Sequence, residues 1–107
     1  MDRKGYMIVF GRGVDASRMG AYAQAAVPLL LRYGGKLLTL TDEGKAELME
    51  GTPMPDSLRV FEFPSLQSAR DFYHSAEYTA AKQHRLGNGE LDVYVMDGFV
   101  PDPKWTR

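Results

Sequence analysis

The chain has 107 residues, 44% of them apolar and 25% charged, with 13 Lys and Arg against 14 Asp and Glu for a formal charge of −1. That suits one soluble globular domain, and so even a balance offers no broad attraction for phosphate backbones or anionic lipid, so no nucleic acid and no membrane is expected as a partner. The absence of cysteine excludes disulfides, thiolate nucleophiles and Cys-ligated metals or iron–sulfur clusters.

Met1 to Tyr6 runs straight into a strand-like stretch and lacks the apolar core of a signal peptide. The longest apolar run, Ala25 to Leu31, is too short to span a bilayer and contains Pro28. A cytoplasmic protein is the expectation. Tyr6 to Phe10 reads as a first strand of β-formers ended by Gly11-Arg12-Gly13. Asp15 and Ser17 can each cap a helix start. Met19, Tyr22, Ala26, Leu29, Leu30 and Tyr33 then recur at helical steps, with an expected kink at Pro28 and a stop at Gly34-Gly35. Lys36 to Thr41 reads as the second strand, followed by a turn at Asp42-Glu43-Gly44 and a short extended piece from Ala46 to Glu50. The prolines at 53 and 55 rule out a central strand in the next loop.

Leu58 to Phe63 reads as the third strand, stopped by Pro64. Ser65 caps a second helix whose inner face carries Leu66, Ala69, Phe72 and Tyr73. Ser75 to Tyr78 reads as a break and restart, with helix continuing to about Arg85. Gly87-Asn88-Gly89 is a turn, and Leu91 to Met96 is the last strand. The domain is expected to span residues 1–98, leaving 99–107 as a Pro-rich tail over the surface or a partner.

The order β-α-β-β-α-β is the split β-α-β, or ferredoxin-like, motif: an α+β fold whose helices cover one face of a four-stranded antiparallel sheet. Its strands do not alternate cleanly. Tyr6, Ile8 and Phe10 oppose Met7 and Val9, and Leu91, Val93 and Val95 oppose Asp92, Tyr94 and Met96. Both faces are largely apolar, and an apolar face without helices marks an interface. A domain this small buries only about 60–70% of its unfolded surface alone. A two-fold homodimer, sheet on sheet, is the simplest closed solution.

Four blocks carry a family resemblance: Gly5-Tyr6-Met7-Ile8-Val9, Tyr33-Gly34-Gly35-Lys36-Leu37, Glu62-Phe63-Pro64-Ser65-Leu66 and Phe72-Tyr73-His74-Ser75-Ala76-Glu77-Tyr78. In order and spacing they resemble the uncharacterised bacterial family called domain of unknown function 1330, of the dimeric α/β-barrel superfamily, from about Gly5 to Gly98. The resemblance implies the fold and a sheet-to-sheet dimer, and no particular activity. Family members commonly carry Asn or Asp in place of His74 and Pro in place of Ala76, so a role for His74 would be particular to this chain.

Candidate chemistry is sparse. His74, one turn before Tyr78, could shuttle a proton or ligate a cofactor, but a helix-end histidine is more often stabilised by the negative end of the helix dipole. His84 stands beside Lys82 and Arg85 in what reads as a solvated basic face. No His-x-x-x-His or Glu-x-x-His is present, so no metal is expected. Glu62 lies between Phe61 and Phe63 and needs a partner: Arg59, Arg85 or a group across the interface, unless it is a base in a pocket. Asp92 with Tyr94 poses the same question. Tyr22, Tyr33, Tyr73, Tyr78 and Phe72 read as core first and as cavity lining second.

The leading expectation is a homodimeric domain binding a small, partly apolar molecule in a pocket between the second helix and the sheet, lined by Tyr22, Glu62, His74, Tyr78 and Arg85, with no cofactor. Fold-level analogy supplies an alternative, a cofactor-independent monooxygenase or isomerase. Haem-degrading relatives in the superfamily use a tryptophan and an asparagine beside a ligating histidine. Here the sole tryptophan is Trp105 in the tail and Asn88 is in a turn, which ranks haem low. A structural or partner-binding dimer without ligand is the remaining alternative.

Overall fold

The computed structural model describes residues 3–41, 46–53 and 56–105. The strands are β1 (Gly5–Arg12), β2 (Lys36–Thr41), β3 (Ser57–Phe63) and β4 (Glu90–Asp97), and the helices are α1 (Gly20–Arg32), α2 (Leu66–His74) and α3 (Ala76–Lys82). The strands form one sheet in the order β2-β3-β1-β4, every neighbour antiparallel. This is the ferredoxin-like α+β arrangement expected from the element order. The second helical segment resolves into two helices because Ser75 works twice. Its main chain ends α2, bonding Phe72, and its hydroxyl caps α3 by accepting from the Tyr78 N–H.

Several boundaries differ from the sequence reading. β1 continues through Gly11, which pairs with both Ser57 and Leu91, so the chain turns only at Gly13. Asp15 caps a single 3-10 turn, Ala16–Arg18, and neither it nor Ser17 caps α1, whose N-cap is Met19 without a side-chain bond. α1 runs through Pro28 as one element. Residues 46–50 form no strand, since an extended segment with no ladder partner leaves its main chain to water. The expected turn at 42–44 lies outside the described residues. α1 closes as foreseen: Gly34 takes φ +80°, and the N–H groups of Gly35 and Gly34 return to the carbonyls of Leu30 and Leu31. That double closure requires a left-handed residue, which glycine supplies without a Cβ clash.

Strand alternation sorts the two sheet faces. Met7 and Val9 of β1, Phe61 and Phe63 of β3 and Val93 of β4 turn toward the helices, where Met7, Phe63, Ala26, Leu29, Ala69, Phe72, Tyr78 and Ala81 form the core. α2 lies across β1 and β4 while α3 packs on α1. Gly5 makes the first of these contacts possible, because a Cβ there would overlap the main chain of Ser65 and Leu66. Aromatic rings stack through the core: Phe63 with Phe72 at 5.6 Å, Phe72 with Tyr78 at 4.8 Å, Tyr78 with Tyr73 at 5.2 Å. Each such pair adds about 0.5–1.5 kcal/mol beyond burial.

The opposite face carries no helix among the described residues. Tyr6, Ile8, Phe10 and Arg12 of β1 share it with Leu58, Val60 and Glu62 of β3 and with Asp92, Tyr94 and Met96 of β4. Tyr94 is 55% exposed and Met96 48%. No helix among the described residues is long and apolar enough to cross a membrane.

Candidate functional site

The five residues singled out from sequence fall into three places. Glu62 is on the helix-free sheet face, and its partners are neither Arg59 nor Arg85. Arg59, three residues away on β3, points to the other face by strand alternation. Tyr6 Oη instead donates to Glu62 Oε2 at 3.0 Å, and Lys36 Nζ stands 3.4 Å from Oε1. The Tyr6 hydrogen bond, with Lys36 and Lys4 assisting, holds the Glu62 carboxyl below the usual carboxylate range despite an opposing desolvation effect. A group whose folded pKa is depressed stabilises the fold above its unfolded pKa, and that contribution disappears as pH falls through the folded value. Acid melting of the wild type should therefore steepen below the ordinary carboxylate range relative to Glu62→Gln. Superimposable Tm-against-pH curves for the two proteins would contradict this.

Tyr22, Tyr78 and Arg85 do come together, on the helix side. Tyr22 Oη and Tyr78 Oη lie 2.8 Å apart, Arg85 Nη2 donates to Tyr78 Oη at 3.4 Å, and the guanidinium carbon stands 5.6 Å from the Tyr22 ring centre. Burial, then the neighbouring Tyr78, pushes the Tyr22 hydroxyl up, so it stays protonated. The solvated basic face expected around His84 is thus corrected at Arg85: His84 is exposed but Arg85 is buried. The chain beyond α3 turns inward there, with the Arg85 N–H bonded to the Lys82 carbonyl.

His74 ends α2 and is exposed. It borders a cleft of about 220 Å³ between α2 and β4, lined with Arg70, Tyr73, Val93 and Val95. The valines give an apolar floor, Tyr73 a wall, and the imidazole and guanidinium a polar rim. The Tyr73 hydroxyl accepts from Lys82 Nζ at 3.2 Å, and its ring meets both His74 (5.4 Å) and Tyr78 (5.2 Å). Arg70 and the valines were not anticipated as lining. Arg70 lies one helical turn before His74, a spacing that places both on one face, but only the packing of α2 on β4 shows that this face borders a hollow. Asn88, read only as a turn residue, is buried and clamps Asp15: its Oδ1 accepts from the Asp15 N–H at 2.9 Å and its Nδ2 donates to the Asp15 carbonyl at 3.0 Å. Asp92 pairs with Arg12 across β1 and β4. Among the described residues no cluster of three His, Asp or Glu gathers to hold a metal.

Four antiparallel strands in this order, with helices on one face, define a ferredoxin-like α+β domain with a helix–sheet cleft. The chain belongs to the family described as domain of unknown function (DUF1330), whose sequence profile matches residues 4–99. Among solved structures it is similar to RPA0582, a protein of unknown function from Rhodopseudomonas palustris, at 20% identity and TM-score 0.69, covering 94% of this chain and 86% of that one. It is also similar to a dimeric protein of unknown function and ferredoxin-like fold from Bacteroides fragilis (14%, TM-score 0.56, 88% and 95% covered). A third is SnoaB, a cofactor-independent oxygenase from Streptomyces nogalater (9%, TM-score 0.59, 96% and 99% covered). At these identities the likeness is one of fold. No curated protein matches the chain.

Proposed function

We propose that this protein acts as a homodimer joined through the helix-free sheet face, each copy holding a small, partly apolar molecule in the cleft between α2 and β4. The cleft carries the reading: an apolar floor of Val93 and Val95 with Tyr73, and a few polar groups at the rim from His74 and Arg70, is the composition of a small-molecule site. Its volume of about 220 Å³ falls below the roughly 300–1,000 Å³ of drug-sized sites, so the ligand is smaller than those. The sheet face supports the dimer. Ile8, Val60, Phe10 and Tyr94 make an apolar middle, flanked at one end by Tyr6, Glu62 and Lys36 and at the other by Arg12 and Asp92. An apolar centre inside a charged border is the anatomy of a protein–protein interface. The Bacteroides fragilis protein of the same fold is dimeric, which agrees.

A second reading, an enzyme that transforms the bound molecule without a cofactor, is favoured by His74 standing on the cleft border and by the shared fold of SnoaB. The test of binding is a screen of small aromatic ketones and alcohols, read by the methyl resonances of Val93 and Val95. The expected result is a saturable shift in the wild type that Val93→Trp abolishes while circular dichroism stays unchanged. Methyl signals that no compound moves, or a Val95 methyl signal that moves equally in Val93→Trp, would overturn the cleft as the site. Turnover of a bound compound that His74→Ala removes would separate the enzyme from the binding domain.

A further inference from the structure

Between α1 and the turn that follows α3, the fold buries an arginine nitrogen that has no acceptor among the described residues. Arg85 retains 9% of its surface exposed and brings the full guanidinium fork of N–H groups, which can donate but never accept. Its Nη2 reaches Tyr78 Oη, while its Nε is buried with no hydrogen-bond partner among the described residues. Among the described residues no Asp or Glu forms an ion pair with it. The two phenols do not make up the deficit. One must donate to the other across 2.8 Å, which leaves the second hydroxyl hydrogen to be placed. A buried cation with no acidic partner among the described residues, beside a spare O–H and an orphan N–H, is costly unless an acceptor arrives.

We propose that Arg85, Tyr22 and Tyr78 form a site for the carboxylate of a small aromatic or aliphatic acid, which enters beside half-buried Tyr22. A planar carboxylate accepts along a guanidinium edge in the geometry that Nε offers, and one negative charge balances one arginine. A phosphate would bring more charge than this single cation neutralises among aromatic walls. The ring of half-buried Tyr22, 5.6 Å from the guanidinium carbon, offers an apolar flank for the body behind the carboxylate. This site does not depend on the α2–β4 cleft, since Arg85 and not His74 defines it.

Benzoate titrated into the full chain tests it, with benzyl alcohol and inorganic phosphate as controls, read by thermal shift and by the Arg85 Nε–H resonance. Benzoate should raise the melting temperature saturably and move the Nε–H signal; inorganic phosphate should do neither, and benzyl alcohol should leave the Nε–H signal unmoved whatever it does to the melting temperature through the α2–β4 cleft. Arg85→Met should weaken the benzoate response roughly tenfold or more, the scale of one charge-assisted bond, and Tyr22→Phe should weaken it less. His74→Ala should leave it intact. An unmoved Nε–H signal, an equal response in Arg85→Met or to phosphate, loss of the response in His74→Ala, or an acidic side chain of this chain found against Nε would each overturn the proposal. Should Arg85→Met fail to fold, Tyr22→Phe and the wild-type Nε–H signal decide alone.

Discussion

Phe63→Ala should cost about 3–5 kcal/mol, the range for deleting a fully buried ring. Phe63 is 1% exposed, the lowest of any large side chain in the described residues. It closes β3, meets Phe72 of α2 at 5.6 Å, and lies so near Gly35 that a Cβ there would come within 2.9 Å of its ring. Sheet, α2 and the turn after α1 therefore converge on one side chain, and none of them can move into the space it leaves without losing another contact. Against a total stability of about 5–15 kcal/mol, such a loss leaves a marginal fold. The check is urea unfolding followed by circular dichroism, where the midpoint should fall sharply with the slope unchanged. Phe63→Leu, which keeps most of the volume, should lose much less. A loss below about 1 kcal/mol for Phe63→Ala would mean the site collapses freely, contrary to close packing.

Val60→Lys should convert the proposed dimer to monomers. Val60 sits on the helix-free face opposite Ile8, at the apolar middle of that face. Two-fold stacking would bury the new ammonium with no partner, and an uncompensated buried charge costs about 3–5 kcal/mol, or on the order of a hundred- to several-thousand-fold in dimer affinity per lysine. Two copies carry two such charges. Leu31→Lys is the control: Leu31 is an exposed residue of α1, on the helix side of the sheet, so its replacement removes as much apolar surface without touching the interface. Light scattering should find wild type and Leu31→Lys at twice the mass of Val60→Lys, with matching circular dichroism. A monomeric wild type at micromolar concentration, or a dimeric Val60→Lys protein, would sink the interface.

Much of the fold is legible in the chain because its signals are local. Gly34-Gly35 stops a helix through its own conformational freedom, and Ser65 and Ser75 each cap a helix within three residues of themselves. The apolar residues on both sides of β1 announce a sheet that is apolar on both faces. The site is less legible. Glu62 and Arg85 carry opposite charges and Glu62 sits between two phenylalanines, so sequence offers Arg85 among its partners, yet the two lie on opposite sides of the sheet. Arg85 reads as surface because Lys82 and His84 flank it, and only the inward turn after α3 buries it. The cleft lining needs α2 set against β4, a contact between residues some twenty positions apart whose spacing no periodicity encodes.

By itself, then, the sequence determines the four strands, the helical segments, the Ser65 cap, the Gly34-Gly35 stop and the two-sided greasiness of the sheet, since each follows from residues within a turn or a strand's length of one another. Tertiary structure alone decides which sheet face receives the helices, which charges meet, and which donors are left short of acceptors. The physical reason is that strand alternation fixes only which residues share a face. The identity of that face, and the partner each polar group finds on it, depends on how distant segments fill the space between them.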